Sequence, residues 1–440
     1  DEFHKFYNEH RDEIIKYYFV FYEFSLDLNT RYFLLTLKRK TNGAADINIT
    51  ADLEELVFRC QDIGLEVMGI SFDGDKSYLK YVIEMCQEID ELEELNLKEP
   101  LASLFKKYSG TLAYEDMMHL VKCNRYRLVC GSKICSSMTN DDETFDPEDL
   151  FDIGFKEYLL DPSKQKKMDD NLALLFFSHE NIIKAIQAQR YDILLALLPS
   201  YLLINSVLST KLTREQRIEQ ITFGFSIVIT YYHEYITYDF TEGKQSPNRN
   251  GGKNNNMTLF DVTWMKKYLS LTISLCKILI DPRAVHLGAL GTHFLEHFFG
   301  MIRRFCSGND TSSQFEKSVE NIIVYKIIQK DDIHQADVQP GRSDSGARLP
   351  KETHEIKQIP VDVCMWRASK LMQKVGPLLN YQLNNTISES IGDDPNLQDE
   401  DIINFILFTY TDEKKTYNST SNLRYNSTSG LNSLPRMISG

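Results

Sequence analysis

Apolar and polar residues follow two rhythms along this chain, and the shorter one comes first. Residues 17–24 (YYFVFYEF) and 31–37 (RYFLLTL) are dense in aromatic and branched side chains, the composition of β-strands. Between them lies Asp27-Leu28-Asn29-Thr30, a turn-forming stretch. The period then lengthens. Leu53, Leu56, Val57, Cys60 and Ile63 recur at helical spacing and predict an amphipathic helix over 51–63. Residues 65–72 (LEVMGISF) predict a buried strand that ends at Asp73. Strand, strand, helix, strand is the order of an α/β layer with a mixed sheet. Ligands of such sheets bind at the carboxyl ends of the strands, where Asp73 falls.

From about residue 75 to 290 the pattern is nearly all helical, with long candidates at 76–95, 172–188, 190–206, 213–239 and 257–280. Residues 141–152 and 242–256 are polar interruptions, and the second (EGKQSPNRNGGKNNN) has the composition of an exposed loop. Residues 291–303 (GTHFLEHFFGMIR) read as one helix. Leu295, Phe298, Phe299 and Ile302 form its buried stripe, and Glu296 stands beside that stripe. A further helix is predicted over 312–328, a linker over 331–352, and a last helix near 361–381. The Asn/Ser/Thr-rich tail from about 411 is expected to be disordered. There is no internal repeat, and no apolar run is expected to reach the ~18 residues that span a bilayer.

Composition changes this picture in three places. A length of 440 residues gives room for two or three domains. The net charge of −14 counts against a broadly basic surface of the kind that tracks DNA. Nucleic-acid contact would therefore use local patches such as Lys38-Arg39-Lys40, Lys164 with Lys166 and Lys167, or Arg303-Arg304. The eight cysteines contain no C-x-x-C pair and complete no zinc-finger spacing, so they read as reduced thiols of an intracellular protein. The opening Asp1-Glu2-Phe3-His4-Lys5 is not a secretory signal and has no initiator Met, which suggests a fragment or processed form. The Asn-x-Ser/Thr triplets at Asn418 and Asn426 then read as chance matches in a polar segment.

Asp73 and Glu296 are the first candidate pair. Held together by a fold, a strand-end Asp and a helix Glu supply the hard carboxylate oxygens that Mg²⁺ or Mn²⁺ takes. Two such ions activate a water and stabilise the leaving oxygen of a phosphodiester. The plainer reading of Asp73 is an N-cap for the next helix. A second candidate overlaps the first: His293-Phe294-Leu295-Glu296-His297 matches H-x-x-E-H, a zinc peptidase signature with both histidines on one helix face. The segment from Asp116 to Arg127 places His119, Lys122 and Arg125 or Arg127 on neighbouring helix faces. They suit phosphate contact, or simply a solvated basic face. Phosphate-binding glycine loops and a nucleophile elbow are absent from the sequence.

Several of these stretches together resemble one family, the P-element-like DDE transposases and the related transposase-derived proteins common in trichomonad-type protists. The segment Ile70-Ser71-Phe72-Asp73-Gly74-Asp75 resembles the strand that carries the family's second catalytic Asp. Asp116 to Arg125 follows its D-x-x-H-L-x-K-x-x-R segment, and Lys164 to His179 loosely resembles the start of its helical insertion. Leu295 to Arg303 reproduces L-E-x-x-F-x-x-I-R, the helix of the last catalytic acid and the most specific part of the match. Gln314-Phe315 and Ser343-Asp344-Ser345-Gly346-Ala347 add weaker pieces, and the resemblance spans roughly 17–350.

The resemblance implies an α/β plus α fold: an RNase H-like mixed sheet interrupted by a large all-helical insertion and truncated at its amino end. The implied divisions are 1–75 and 286–330 for the RNase H-like parts, 76–285 for the insertion, 331–360 for a linker, 361–410 for carboxy-terminal helices and 411–440 for the tail. It implies metal-dependent DNA cleavage and strand transfer, with Asp73 and Glu296 holding Mg²⁺ (or Mn²⁺) and His119, Lys122 and Arg125 meeting DNA phosphate. It also implies transposon ends as the DNA partner, a homo-oligomer, no membrane, and a nuclear location. The family's first catalytic Asp belongs on the opening strand, at or before residue 1. With no strand-borne Asp ahead of Tyr17, the site is expected to be incomplete and the chemistry reduced. The family's amino-terminal zinc-coordinating DNA-binding domain has no counterpart either. Where an acid contributes to GTP binding in the family's insertion, this chain has His293. The rival expectations are the zinc peptidase, using His293, His297 and Glu296, and a non-enzymatic helical interaction protein.

Overall fold

The early aromatic runs form a hairpin. In a computed structural model of the chain, β1 (Ile15–Glu23) pairs antiparallel with β2 (Phe33–Thr41), from Ile15 opposite Thr41 to Glu23 opposite Phe33. The structure describes residues 15–23, 33–41, 49–64, 67, 69–72, 96–104, 112–130, 132–133, 144–145, 147–163, 169–241, 260, 262–282, 284, 287, 317, 349 and 354–375. All lie in the first of two compact units, Asp1–Asp394; the second is Pro395–Gly440. The expected elements at 76–95, 242–256, 291–303 and 411–440 lie outside the described residues. Those at 312–328 and 331–352 do too, apart from Lys317 and Leu349.

Helix α1 (Ile49–Asp62) lies within a residue or two of the predicted span. Strand β3 (Gly69–Phe72) is the second half of the predicted apolar run. Its partner was not foreseen. A short helix α2 (Leu101–Leu104) precedes β4 (Leu112–Glu115), which runs parallel to β3 with Gly69 opposite Leu112 and Phe72 opposite Glu115. This strand falls inside the stretch expected to be helical. All of Leu112, Ala113, Tyr114 and Glu115 are buried. A strand covered on both faces shows no alternation, so periodicity had nothing to detect. Among the described residues, β1–β2 and β3–β4 are separate ladders, rather than the single mixed sheet expected.

Beyond β4 the chain is mostly helical. Helix α3 (Met117–Val129) is followed by a small antiparallel pair, β5 (Ser132–Lys133) and β6 (Thr144–Phe145), then α4 (Pro147–Asp152) and a 3₁₀ turn at Glu157–Leu159. The single helix expected over 172–188 is two: α5 (Asp170–Phe176) and α6 (His179–Gln187). Ser178 between them is extended, and the Asn181 amide donates to the carbonyls of Leu175 and Phe176, each at 3.1 Å. A side chain that takes terminal carbonyls ends a helix where apolar spacing alone would continue it.

The core is built by α7 (Tyr191–Leu208), α8 (Arg214–Thr241), α9 (Val262–Ile280) and α10 (Val361–Gln373), with α8 packed against the other three. Helix α7 is 18 residues long with mean hydropathy 1.6, so by length and composition it could cross a membrane, which the sequence reading did not credit. It is 83% buried inside the bundle. A helix apolar on all sides suits a surrounded core position as well as a bilayer. A reciprocal capping box opens α8: Thr213 N–H donates to Gln216 Oε1 (2.9 Å), and Gln216 N–H donates to Thr213 Oγ1 (3.2 Å).

One close approach locks α7, α8 and α9 together. The Tyr268 hydroxyl of α9 donates to the Pro199 carbonyl of α7 at 2.8 Å and passes Gly224 of α8. A methyl at Gly224 would meet that hydroxyl, with the ring carbon bearing it at 3.5 Å. Alanine in a helix normally gains about 0.5–1 kcal/mol over glycine. Here overpacking reverses the sign, and Gly224→Ala is predicted to lose about 1–3 kcal/mol in urea unfolding. In a Tyr268→Phe background the penalty should largely vanish, and its persistence there would refute this account.

Candidate functional site at the carboxyl edge of the parallel strands

Strands β3 and β4 end level with one another, because Asp116 N–H donates to the Phe72 carbonyl at 2.9 Å. The chain leaves β4 through Glu115 and Asp116 into α3. Asp116 caps that helix, its carboxylate accepting the His119 backbone N–H at 2.9 Å. Burial, reinforced by the Asp116 charge, pushes the Tyr114 phenol well above its ordinary range.

Glu115 is the centre of the arrangement. Its side chain is 1% exposed and lies between two partners, Lys267 of α9 and the imidazole Nε2 of His119 at 3.7 Å. The same face of α9 reaches the strand and α3 directly. The Ser270 hydroxyl donates to the Ala113 carbonyl, and the Trp264 indole N–H donates to the Leu120 carbonyl at 3.1 Å. Trp264, Lys267 and Ser270 are three residues apart, so they share one helix face. Phe260, Trp264 and Tyr268 stack beside them at 4.9 and 5.1 Å between ring centres. One carboxylate thus joins β4, α3 and α9.

The basic residues expected on α3 are placed unequally. His119 keeps 21% of its side chain exposed. Lys122 is buried and pairs with Asp170 at the start of α5 (2.8 Å). Arg125 is 1% exposed and donates to the carbonyls of Leu159 (2.8 Å) and Asp161 (3.3 Å). Burial lowers its proton affinity, partly offset by Asp169 and Asp161. Lys122 and Arg125 therefore brace the corner from the 3₁₀ turn to α5, a role their helical spacing did not reveal. The sequence reading also missed Glu115 and Lys267. Two adjacent lysines inside the apolar α9 run were the available signal, since a charge on a core helix needs a partner.

Asp73, the residue after Phe72, lies outside the described residues, as do His293, Glu296 and His297. Among the described residues, no three His, Cys, Asp or Glu side chains come together in a way that could hold a metal ion. The described cysteines Cys60, Cys123, Cys130, Cys276 and Cys364 are free thiols.

No family model matches the chain. None of the curated proteins matches it. Among solved structures it is similar to one described as a Drosophila P element transposase strand transfer complex, at 14% identity and a TM-score of 0.45, over 67% of each chain. At that score the likeness is a distant one.

Proposed function

We propose that this is a transposase-derived protein of the P-element-like DDE type, with an RNase H-like part interrupted by helices. The observation that supports the reading is the level ending of parallel β3 and β4, with Asp73 next in sequence after Phe72 and with Glu115, Asp116 and His119 gathered at the neighbouring end. The carboxyl ends of parallel strands are where α/β sheets hold their ligands. In this reading Asp73 and Glu296 hold Mg²⁺ (or Mn²⁺), a fit of hard carboxylate oxygens to a hard cation. The bound metal would supply charge stabilisation for cleaving and joining DNA phosphodiesters. Of His119, Lys122 and Arg125, His119 is the one left partly exposed to meet a phosphate, because Lys122 and Arg125 are engaged internally. Transposon ends as partner, a homo-oligomer and a nuclear location belong to the same proposal. Turnover requires a third carboxylate to complete the set.

The test is calorimetric titration of the chain with Mn²⁺ and Zn²⁺, beside Asp73→Ala and Glu296→Ala. Losing a residue that merely supports a metal ligand weakens binding ~10–100-fold, so loss of a ligand should do at least as much. Mn²⁺ binding that survives both substitutions would sink the proposal. Tight Zn²⁺ binding that His293→Ala abolishes would replace it with the peptidase reading.

A further inference from the structure

Away from that edge, His179 is a buried titratable group with no part in the proposed chemistry. It is the first residue of α6 and is 6% exposed. Its Nδ1 lies 2.9 Å from the hydroxyl of Tyr201, itself 4% exposed on α7, and the two rings are 5.8 Å apart. Two features oppose a proton there. A cation in this position loses its hydration, and it would sit at the positive end of the helix dipole.

The charged groups on the surrounding elements have other engagements. On α6, Glu180 pairs with Lys184 at 2.8 Å and also feels Lys156. On α5, Asp169 caps the helix and Asp170 holds Lys122. At the start of α7, Arg190 is bound by Asp149 and Asp192. We propose that His179 is the protonation point of an acid-sensitive joint between α6 and α7, which holds while the imidazole is neutral and opens locally when it is charged.

The direction follows from linkage. Burial lowers the His179 pKa from 6.5 to about 4 in the folded protein. Its stabilising contribution is therefore complete above about 6.5, shrinks as pH falls from there, and is gone below about 4. For a group with these two values, the population in which α6 is open should rise ~30-fold between pH 7.5 and pH 5. The inference does not depend on the transposase reading.

Hydrogen exchange tests it on the full chain, as protection factors of the hydrogen-bonded α6 amides at the two pH values. The expected result is a ~30-fold fall in the unsubstituted protein that His179→Gln abolishes, since glutamine can still bond Tyr201 but does not titrate. A fall of less than about 3-fold, or the same fall in His179→Gln, overturns the proposal. If His179→Gln does not fold, an NMR titration of the His179 ring in the unsubstituted protein decides. A ring that stays neutral below pH 5 supports the joint, and one that titrates near its ordinary value refutes it.

Discussion

Glu115→Ala should lower the unfolding free energy by about 3–5 kcal/mol, because it leaves Lys267 largely buried without its carboxylate. The substitution also takes from His119 the carboxylate at 3.7 Å. Most of the loss comes from the uncompensated charge rather than from the attraction removed, and this gives the prediction a second arm. Glu115→Leu combined with Lys267→Met removes both charges and keeps apolar volume, so it should recover most of the stability. Denaturant unfolding of the single and double variants measures both. A single-substitution cost below about 1 kcal/mol would mean that the pair is solvated in solution and that β4, α3 and α9 are not joined through it.

Arg214→Met should cost about 3–4 kcal/mol by the same measurement. The Arg214 side chain is fully buried and donates to the carbonyls of Leu279 (2.9 Å), Asp281 (2.8 Å) and Ala284 (2.5 Å) at the end of α9. Methionine fills similar space but strands those carbonyls. Lysine should restore only part of the loss, because one ammonium cannot reproduce a planar fork. Full rescue by lysine would show that charge, rather than fork geometry, is what matters. Arg217 repeats the device one turn along α8, taking the carbonyls of Leu212, Ser206 and Ser209 around the α7–α8 turn. Burial, with Arg214 close by, pushes its pKa down to about 10.

These clamps show where the sequence was legible. Elements with strong periodicity could be read: α1, α7, α8 and α9 lie close to their predicted spans, and the early aromatic runs do pair as β1 and β2. Strand β4 could not, because its four residues are all buried and carry no alternation. Nor could the break between α5 and α6, which depends on where one Asn side chain finds its carbonyls. Charge was the harder problem. His119, Lys122 and Arg125 have the same helical spacing whether they face solvent, a ligand or a carbonyl 34 residues away. Glu115 acquires its role from Lys267, about 150 residues later in the chain. Asp73 and Glu296 rest on motif and position alone, and the metal titration addresses them directly.

The contact between β4 and α9 bears on how the protein is made. Ser270 meets Ala113 across 157 residues of sequence. At ordinary synthesis rates of about 5–20 residues per second, that interval lasts roughly 8–30 s. Throughout it, Leu112, Ala113 and Tyr114 have left the ribosome without the helix that will cover them. A nascent chain stalled before residue 264 should therefore present this strand to chaperones, and one released after α9 should not.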